Sequence, residues 1–223
     1  MKPEDKKQAT LAKALPAGQI ATRKWLLVKG FTGHTLDNYV KSQRLRVLAK
    51  GVYAQPYALL NWQSLASSLS RLSEQCVHVG GLTALAQQGF SQYISESRRQ
   101  TVHFYSSINP PGWFGVLAGQ VPNTQFIWYG TRRLWRDDFA RAFALNDMIW
   151  RDDSPPLIVS APERAFLELL MTVPEHISFE HADELMQGLT QLSPRKLTTL
   201  LTFLESQATG PADEQNSTID ENT

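Results

Sequence analysis

The chain has 223 residues, 42% of them hydrophobic, and a formal net charge of +1. That length suits one large domain or two small ones, and no apolar run approaches the roughly 20 residues needed to span a bilayer. A single cysteine, Cys76, excludes an internal disulfide and, with no signal sequence, points to a cytoplasmic protein.

The charge is unevenly spread. Residues 1–55 hold eleven Lys or Arg against three acids, a balance of +8, so the rest of the chain carries −7. Such asymmetry marks a cationic, partner-facing module on a neutral-to-acidic body. Phosphate neutralisation by Lys and Arg supplies most non-specific affinity for nucleic acid. A Lys-rich helix is often only a solvated face. Here the cations continue into a hairpin at Arg44, Arg46 and Lys50, which favours the phosphate-facing reading.

In chain order, 1–10 is polar and 6–15 reads as a first helix, with Leu11 and Leu15 on its apolar stripe. The stretch from Gly18 to Ala54 then reads as two short helices, a turn and a basic hairpin. Leu26 and Val28 are the apolar positions of the first, and Lys29-Gly30 close it. Trp25 is expected to pack inside the helix cluster rather than to stack on bases. Thr35 is a candidate N-cap for a helix over 36–43, since its hydroxyl can accept a free N–H of the first turn. Leu36 and Val40 share one face of that helix; Thr35, Asn38, Lys41 and Ser42 fall on another. Residues 45–48 read as a strand, 49–51 as a turn and 52–54 as a returning strand. Helix, turn, helix and basic hairpin is the layout of a winged helix-turn-helix, whose second helix enters the major groove.

Beyond Ala54 the character changes. Residues 59–72 read as a helix with Leu60, Leu65, Leu69 and Leu72 near helical spacing, and 76–79 as a short strand. Gly80-Gly81 and a helix over 82–88 follow, stopped by Gly89. A strand, two glycines and a helix can form an anion site. Without a longer phosphate-binding motif, a tight turn is the preferred reading. Cys76 reads as a small packed residue rather than a nucleophile, and His78 as a satisfied, semi-buried histidine. Residues 101–106 and 124–129 read as strands, with Trp113-Phe114 packed on the sheet. Arg132, Arg133 and Arg136 either extend a basic surface or, preferably, pair with Asp137, Asp138, Asp152 and Asp153. Residues 148–150 and 157–159 are further short apolar runs with strand character. Ser160, Pro162 and Glu163 resemble a capping box opening a helix. Helices over 180–188 and from Ser193-Pro194 follow, giving a carboxy-terminal helical bundle. From Ser206 the composition is that of a disordered, acidic tail.

The order of these segments carries a resemblance. LAKALPAGQIATRKWLLVKGFTGHTLDNYVKSQRLRVLAKGVY, VHVGGLTALAQQGFSQYI, PPGWF, SAPERAFLELL and FEHADELMQGLTQLSPRKLTTLL together resemble the AbiEi-type antitoxins of type IV toxin–antitoxin systems, which double as transcriptional regulators. The resemblance spans about residues 11–201. It implies an amino-terminal winged helix on operator DNA, a following domain with antitoxin activity, a nucleotidyltransferase-like toxin as partner, and repression of the shared operon. Two departures stand out. Gln43-Arg44 replaces the Gly-Trp the family tends to have after the recognition helix. An acidic tail also stands where a basic, strand-rich segment is expected.

The sequence thus predicts an α+β protein: a winged helix-turn-helix over 1–56, a mixed α/β domain with a carboxy-terminal helical bundle over 57–205, and a disordered tail over 206–223. The expected partners are double-stranded operator DNA and a nucleotidyltransferase-like toxin, with no membrane, cofactor or metal. The candidate DNA-binding residues are Arg23, Lys24, Thr32, His34, Thr35, Asn38, Lys41, Ser42, Arg44, Arg46 and Lys50. Thr35, Asn38 and Lys41 or Ser42 are placed near base edges, and Arg23, Lys24, Arg44, Arg46 and Lys50 on phosphates. Two other classes are open to this sequence. A metal-dependent nuclease would use Asp152, Asp153 and Glu163, although Glu163 is better explained as a capping residue. A protein-interaction module would turn the basic end toward an acidic toxin surface.

Overall fold

The computed structural model describes residues 11–90, 99–132, 134–135 and 142–208. A helical turn over 11–14 leads into β1 (Ile20–Thr22), α1 (Arg23–Val28) and α2 (Gly33–Lys41). The hairpin β2 (Arg46–Ala49) and β3 (Val52–Ala54) follows. The three strands form one antiparallel sheet in the order β1-β3-β2. This is the winged helix-turn-helix layout, with a strand, β1, that local sequence does not announce. Three residues show little period of their own, and what holds them extended is pairing with β3, Ile20 opposite Ala54. Leu11, Leu15, Ala21, Leu26, Leu36, Tyr39, Leu45 and Tyr53 make the small core of this module, with Trp25 packed against it. Val28 does not contribute; it is exposed at the end of α1.

The cap of α2 is Thr32, not Thr35. The Thr32 hydroxyl accepts the Thr35 N–H at 3.2 Å, so the helix begins three residues earlier than the sequence suggested and ends at Lys41. Both threonines are chemically able caps. Gly33 favours the earlier one, because an Arg23 amino group lies 2.9 Å from where a β-carbon of residue 33 would stand. Gln43 and Gly51 both have positive φ, at 56° and 71°. Gly51 supplies the left-handed conformation that the two-residue hairpin loop requires.

The remaining helices and strands form a mixed sheet. Its strands are β4 (Val77–Val79), β5 (Gln100–Ser106), β6 (Thr124–Gly130), β7 (Leu145–Met148) and β8 (Leu157–Ser160), in the order β6-β5-β4-β8-β7. The strand expected over 148–150 lies earlier, at β7, because Leu145 to Met148 pair antiparallel with β8 and leave Ile149 exposed. One sheet face is apolar. Val77, Val79, Val102, Phe104, Leu157 and Val159 meet α3 (Trp62–Leu72) and the short α5 (Phe114–Ala118). Helix α3 starts at Trp62 rather than 59, where Asn61 and Ser64 form a reciprocal capping box. The other face carries His78, His103, Tyr105, Tyr129 and Ser160 and meets α4 (Gly81–Gln87) and α6 (Pro162–Leu170). Two helices complete the carboxy-terminal part, α7 (Phe179–Gly188) and α8 (Pro194–Ala208). Helix α8 runs past Ser206, where the tail was expected to begin; 209–223 lie outside the described residues.

The two parts share a core. Ile20, Val52 and Ala54 of the wing sheet pack in the same cluster as Trp62, Leu65, Ala66 and Leu69 of α3. The serine-rich face of α3 is consumed by the seam. The buried Gln19 amide donates to Ser67 at 2.7 Å and accepts from Ser68, which also takes the Ile20 N–H. Arg71 reaches across with its guanidinium on the carbonyls of Ala14 and Ile20, 4.3 Å over the Trp25 ring. Burial lowers its pKa to about 10.

Candidate nucleic-acid interface

Helix α2 buries Leu36 and Tyr39 and half-buries Val40 against the helix-turn-helix core. At 100° per residue this leaves His34, Asp37, Asn38 and Lys41 on the outer face, all exposed. Ser42 is exposed beside them, and Thr35 is half-buried on the flank. His34 Nε2 and the Asn38 side-chain amide lie 3.1 Å apart. The Ser42 hydroxyl donates to the Asn38 carbonyl at 2.7 Å, which closes the helix end. The structure therefore gathers His34, Asn38, Lys41 and Ser42 on one surface, with Thr32 and Thr35 hydroxyls 2.9 Å apart at its amino end.

The basic residues divide differently. Arg23, first in α1, pairs with Asp37 at 2.8 Å and touches the Tyr53 hydroxyl at 3.3 Å. These hydrogen bonds raise the Arg23 pKa and, from the other side, hold the Asp37 carboxyl below its usual range. Arg23 thus ties α1 to α2. Lys50 is exposed at the hairpin tip, and Arg44 is half-buried just after α2. Lys24 reaches Glu74 at 3.2 Å, and Arg46 donates to the Ala58 carbonyl at 3.0 Å. Both contacts lead toward 57–75 and not to the outer face of α2. Arg46 stands opposite Ala54 in the hairpin, on the side that packs on α3, whereas Val47 stands opposite Tyr53. The hairpin is also braced from outside, since the Gln120 amide donates to the Leu48 carbonyl.

The other sequence candidates resolve by their partners. Glu163 is buried and accepts the Ser193 N–H at 2.6 Å, so it caps the following segment and not its own helix. Ala161 occupies the N-cap of α6 and no capping box forms there. Ser160 donates instead to Glu168 at 2.7 Å. Asp152 and Asp153 are exposed and remote in character from buried Glu163. Among the described residues no three His, Cys, Asp or Glu side chains are placed to hold a metal. Arg132 donates to the Ser107 carbonyl, while Arg133, Arg136, Asp137 and Asp138 lie outside the described residues.

Sequence reading missed a buried ionic cluster. Glu168, with no exposed surface, accepts from His78 Nε2 and Arg164 Nε, each at 2.8 Å, besides Ser160. Burial alone would push its pKa up; His78 and Arg164 outweigh that and hold it down at about 2. Burial pushes His78 below its ordinary value, against the pull of the Glu168 carboxylate. Gly80 and Gly81 serve this cluster. A β-carbon at Gly80 would collide with Glu168 and Tyr105, and one at Gly81 would stand 2.6 Å from the Tyr105 hydroxyl. The double glycine is a close-approach point rather than an anion cradle. Cys76 is half-buried, 4.0 Å from His78 Nδ1, and burial raises its thiol pKa. That keeps it a thiol.

Among the described residues no helix is long and apolar enough to cross a membrane. Two family models cover nearly the whole chain. Residues 4–96 match the AbiEi antitoxin N-terminal domain of a transcriptional regulator, and 99–209 match the AbiEi antitoxin transcriptional regulator of type IV toxin–antitoxin systems. No curated protein matches the chain. The first model reaches past the hairpin to include α3 and α4, in keeping with the core those helices share with β1 and β3. These matches show the family: the protein belongs to the AbiEi antitoxin family, the transcriptional regulators of type IV toxin–antitoxin systems.

Proposed function

We propose that α2 is the recognition helix and that the duplex it reads is the promoter of the chain's own operon. The supporting observation is the uncovered outer face carrying His34, Asn38 and Lys41 together. Asn38 has the donor and acceptor pair that suits adenine in the major groove, and His34 orients it. Thr32, Thr35 and Ser42 flank the read bases. Lys50, Arg44 and Lys41 take phosphates, fixing register without reading sequence. Arg23 positions α2 through Asp37, while Lys24 and Arg46 add charge at the margin.

Binding of the full chain to its promoter duplex over a salt series tests this. Lys50→Ala lowers the slope of log affinity against log salt by about one unit. Arg46→Ala changes it less, because its guanidinium already serves the Ala58 carbonyl. Unchanged slopes in both variants would remove the hairpin from the interface.

The partner toxin in this reading is nucleotidyltransferase-like, and the chain counteracts it while repressing the shared operon. The family assignment supports this part. Growth rescue on co-expression with such a toxin encoded beside this gene tests it; failure to rescue would leave a regulator without antitoxin activity.

A further inference from the structure

The polar face of the mixed sheet is only partly covered. Helix α6 seals its centre around Glu168, but toward β5 and β6 a cavity of about 870 Å³ opens. Its floor is a ladder of rings on adjacent strands. Tyr105 stacks on Tyr129 with centroids 4.9 Å apart, and His103 on Tyr129 at 6.1 Å. His176 stands edge-on to Tyr129 at 6.2 Å, forming one wall. Thr83 of α4 holds His103 by its Nδ1 at 2.8 Å, which orients the ring and leaves Nε2 without a hydrogen-bond partner among the described residues. The Tyr129 hydroxyl and the His176 ring nitrogens likewise have none.

Charge gives the second argument. Outside residues 1–55 the chain is net acidic, yet among the described residues the side chains lining the cavity include Arg99 and three histidines and no carboxylate. Of the histidines, His181 has Glu184 at 3.8 Å outside the lining. Burial, and then His176, push His103 down to about 4, so it enters as a neutral hydrogen-bonding ring. The volume lies within the range of small-molecule sites, and such sites combine flat apolar surface with a few convergent polar groups. An aromatic floor favours a flat ring stacked on it. An acid-free wall favours a negative substituent. All the lining residues lie between Leu82 and His181, so none comes from the winged helix.

We propose that this cavity is a ligand site for a small anion built on an aromatic or heteroaromatic ring, bearing a phosphate or a carboxylate. The ring lies on Tyr129 and His103, and the charged group meets His176. The site is independent of the DNA-reading surface, and binding there involves no chemistry on the ligand.

Calorimetric titration of the full chain tests the proposal with four probes. Adenosine 5′-monophosphate and salicylate carry both ring and charge. Adenosine carries only the ring, and inorganic phosphate only the charge. At least one ring-bearing anion is expected to bind tenfold or more tighter than both controls, and which one does separates the phosphate from the carboxylate source. Tyr129→Leu and the exposed-site variant His176→Ala each weaken that binding at least fivefold, while promoter binding and the near-ultraviolet circular dichroism of His176→Ala stay as in the wild type. Equal binding of all four probes, or none, overturns the proposal. So does tight binding that survives both substitutions unchanged.

Discussion

Replacing Glu168 with leucine separates two views of the centre of this fold. The carboxylate is wholly buried and accepts three hydrogen bonds, from His78, Arg164 and Ser160. Arg164 is 1% exposed, with its guanidinium 4.6 Å over the Trp135 ring and donating to the Phe143 carbonyl. Glu168→Leu therefore takes the Glu168 carboxylate away from a guanidinium that stays buried. Removing one partner of a buried ion pair costs about 3–5 kcal/mol. For a chain of this size that lowers Tm by roughly 6–20 °C. The double variant Glu168→Leu, Arg164→Leu removes both charges, and an apolar replacement of the whole pair is often close to neutral. It should recover about 2 kcal/mol relative to the sum of the two single losses. Urea unfolding followed by circular dichroism measures all four corners of the cycle. Additivity within about 0.5 kcal/mol would refute the reasoning, since the residues would then not act as a pair. The pair also carries an acid limit. Because the Glu168 pKa falls from 4.5 unfolded to about 2 folded, its contribution is complete above pH 4.5 and is lost as pH falls toward 2.

Other consequences follow from single contacts. Asp37→Asn removes the one acid from the outer face of α2 and releases Arg23, so the salt slope of promoter binding should steepen by about 0.9; weaker binding at every salt concentration would show instead that the Arg23–Asp37 pair is needed to position α2. His103 titrates near 6.5 unfolded but is pushed to about 4 in the fold, so stability is full above pH 6.5 and drops as pH falls to 4, by at most about 3 kcal/mol. His103→Gln should flatten that segment of the pH–stability curve, and a wild-type slope in the variant would clear His103 of the effect. Gly80→Ala should cost about 1–3 kcal/mol in chemical unfolding, because the new methyl group meets Glu168 and Tyr105, both already fixed by hydrogen bonds. A neutral result there would mean that α4 shifts freely.

What the sequence could and could not tell follows the range of the forces involved. The two helices and hairpin of the amino-terminal module were legible because apolar spacing and the Lys50-Gly51 turn are local signals. Strand β1 was not, since Ile20 is extended only by pairing with Ala54, more than thirty residues away. Thr32 and Thr35 are equally good caps in isolation, and only the approach of Arg23 to Gly33 favours one. Ser160 and Glu163 have the spacing of a capping box, yet tertiary partners, Glu168 and the Ser193 N–H, take both side chains. His78 was rightly expected to be satisfied, but its partner lies ninety residues on. The face of α2 was visible as polar residues at helical spacing. Asp37 was overlooked there, and the directions of Lys24 and Arg46 depend on packing against 57–75. The cavity had no local signature, because four separate segments supply its lining.

The account rests on α2 reading a duplex. The most direct test is the affinity of the full chain for its own promoter against a scrambled duplex of equal length, with and without Asn38→Ala. The account predicts that the substitution weakens promoter binding by about 1–3 kcal/mol and leaves scrambled-duplex binding unchanged, so that specificity shrinks. Equal effects on both duplexes, or none on either, would contradict it.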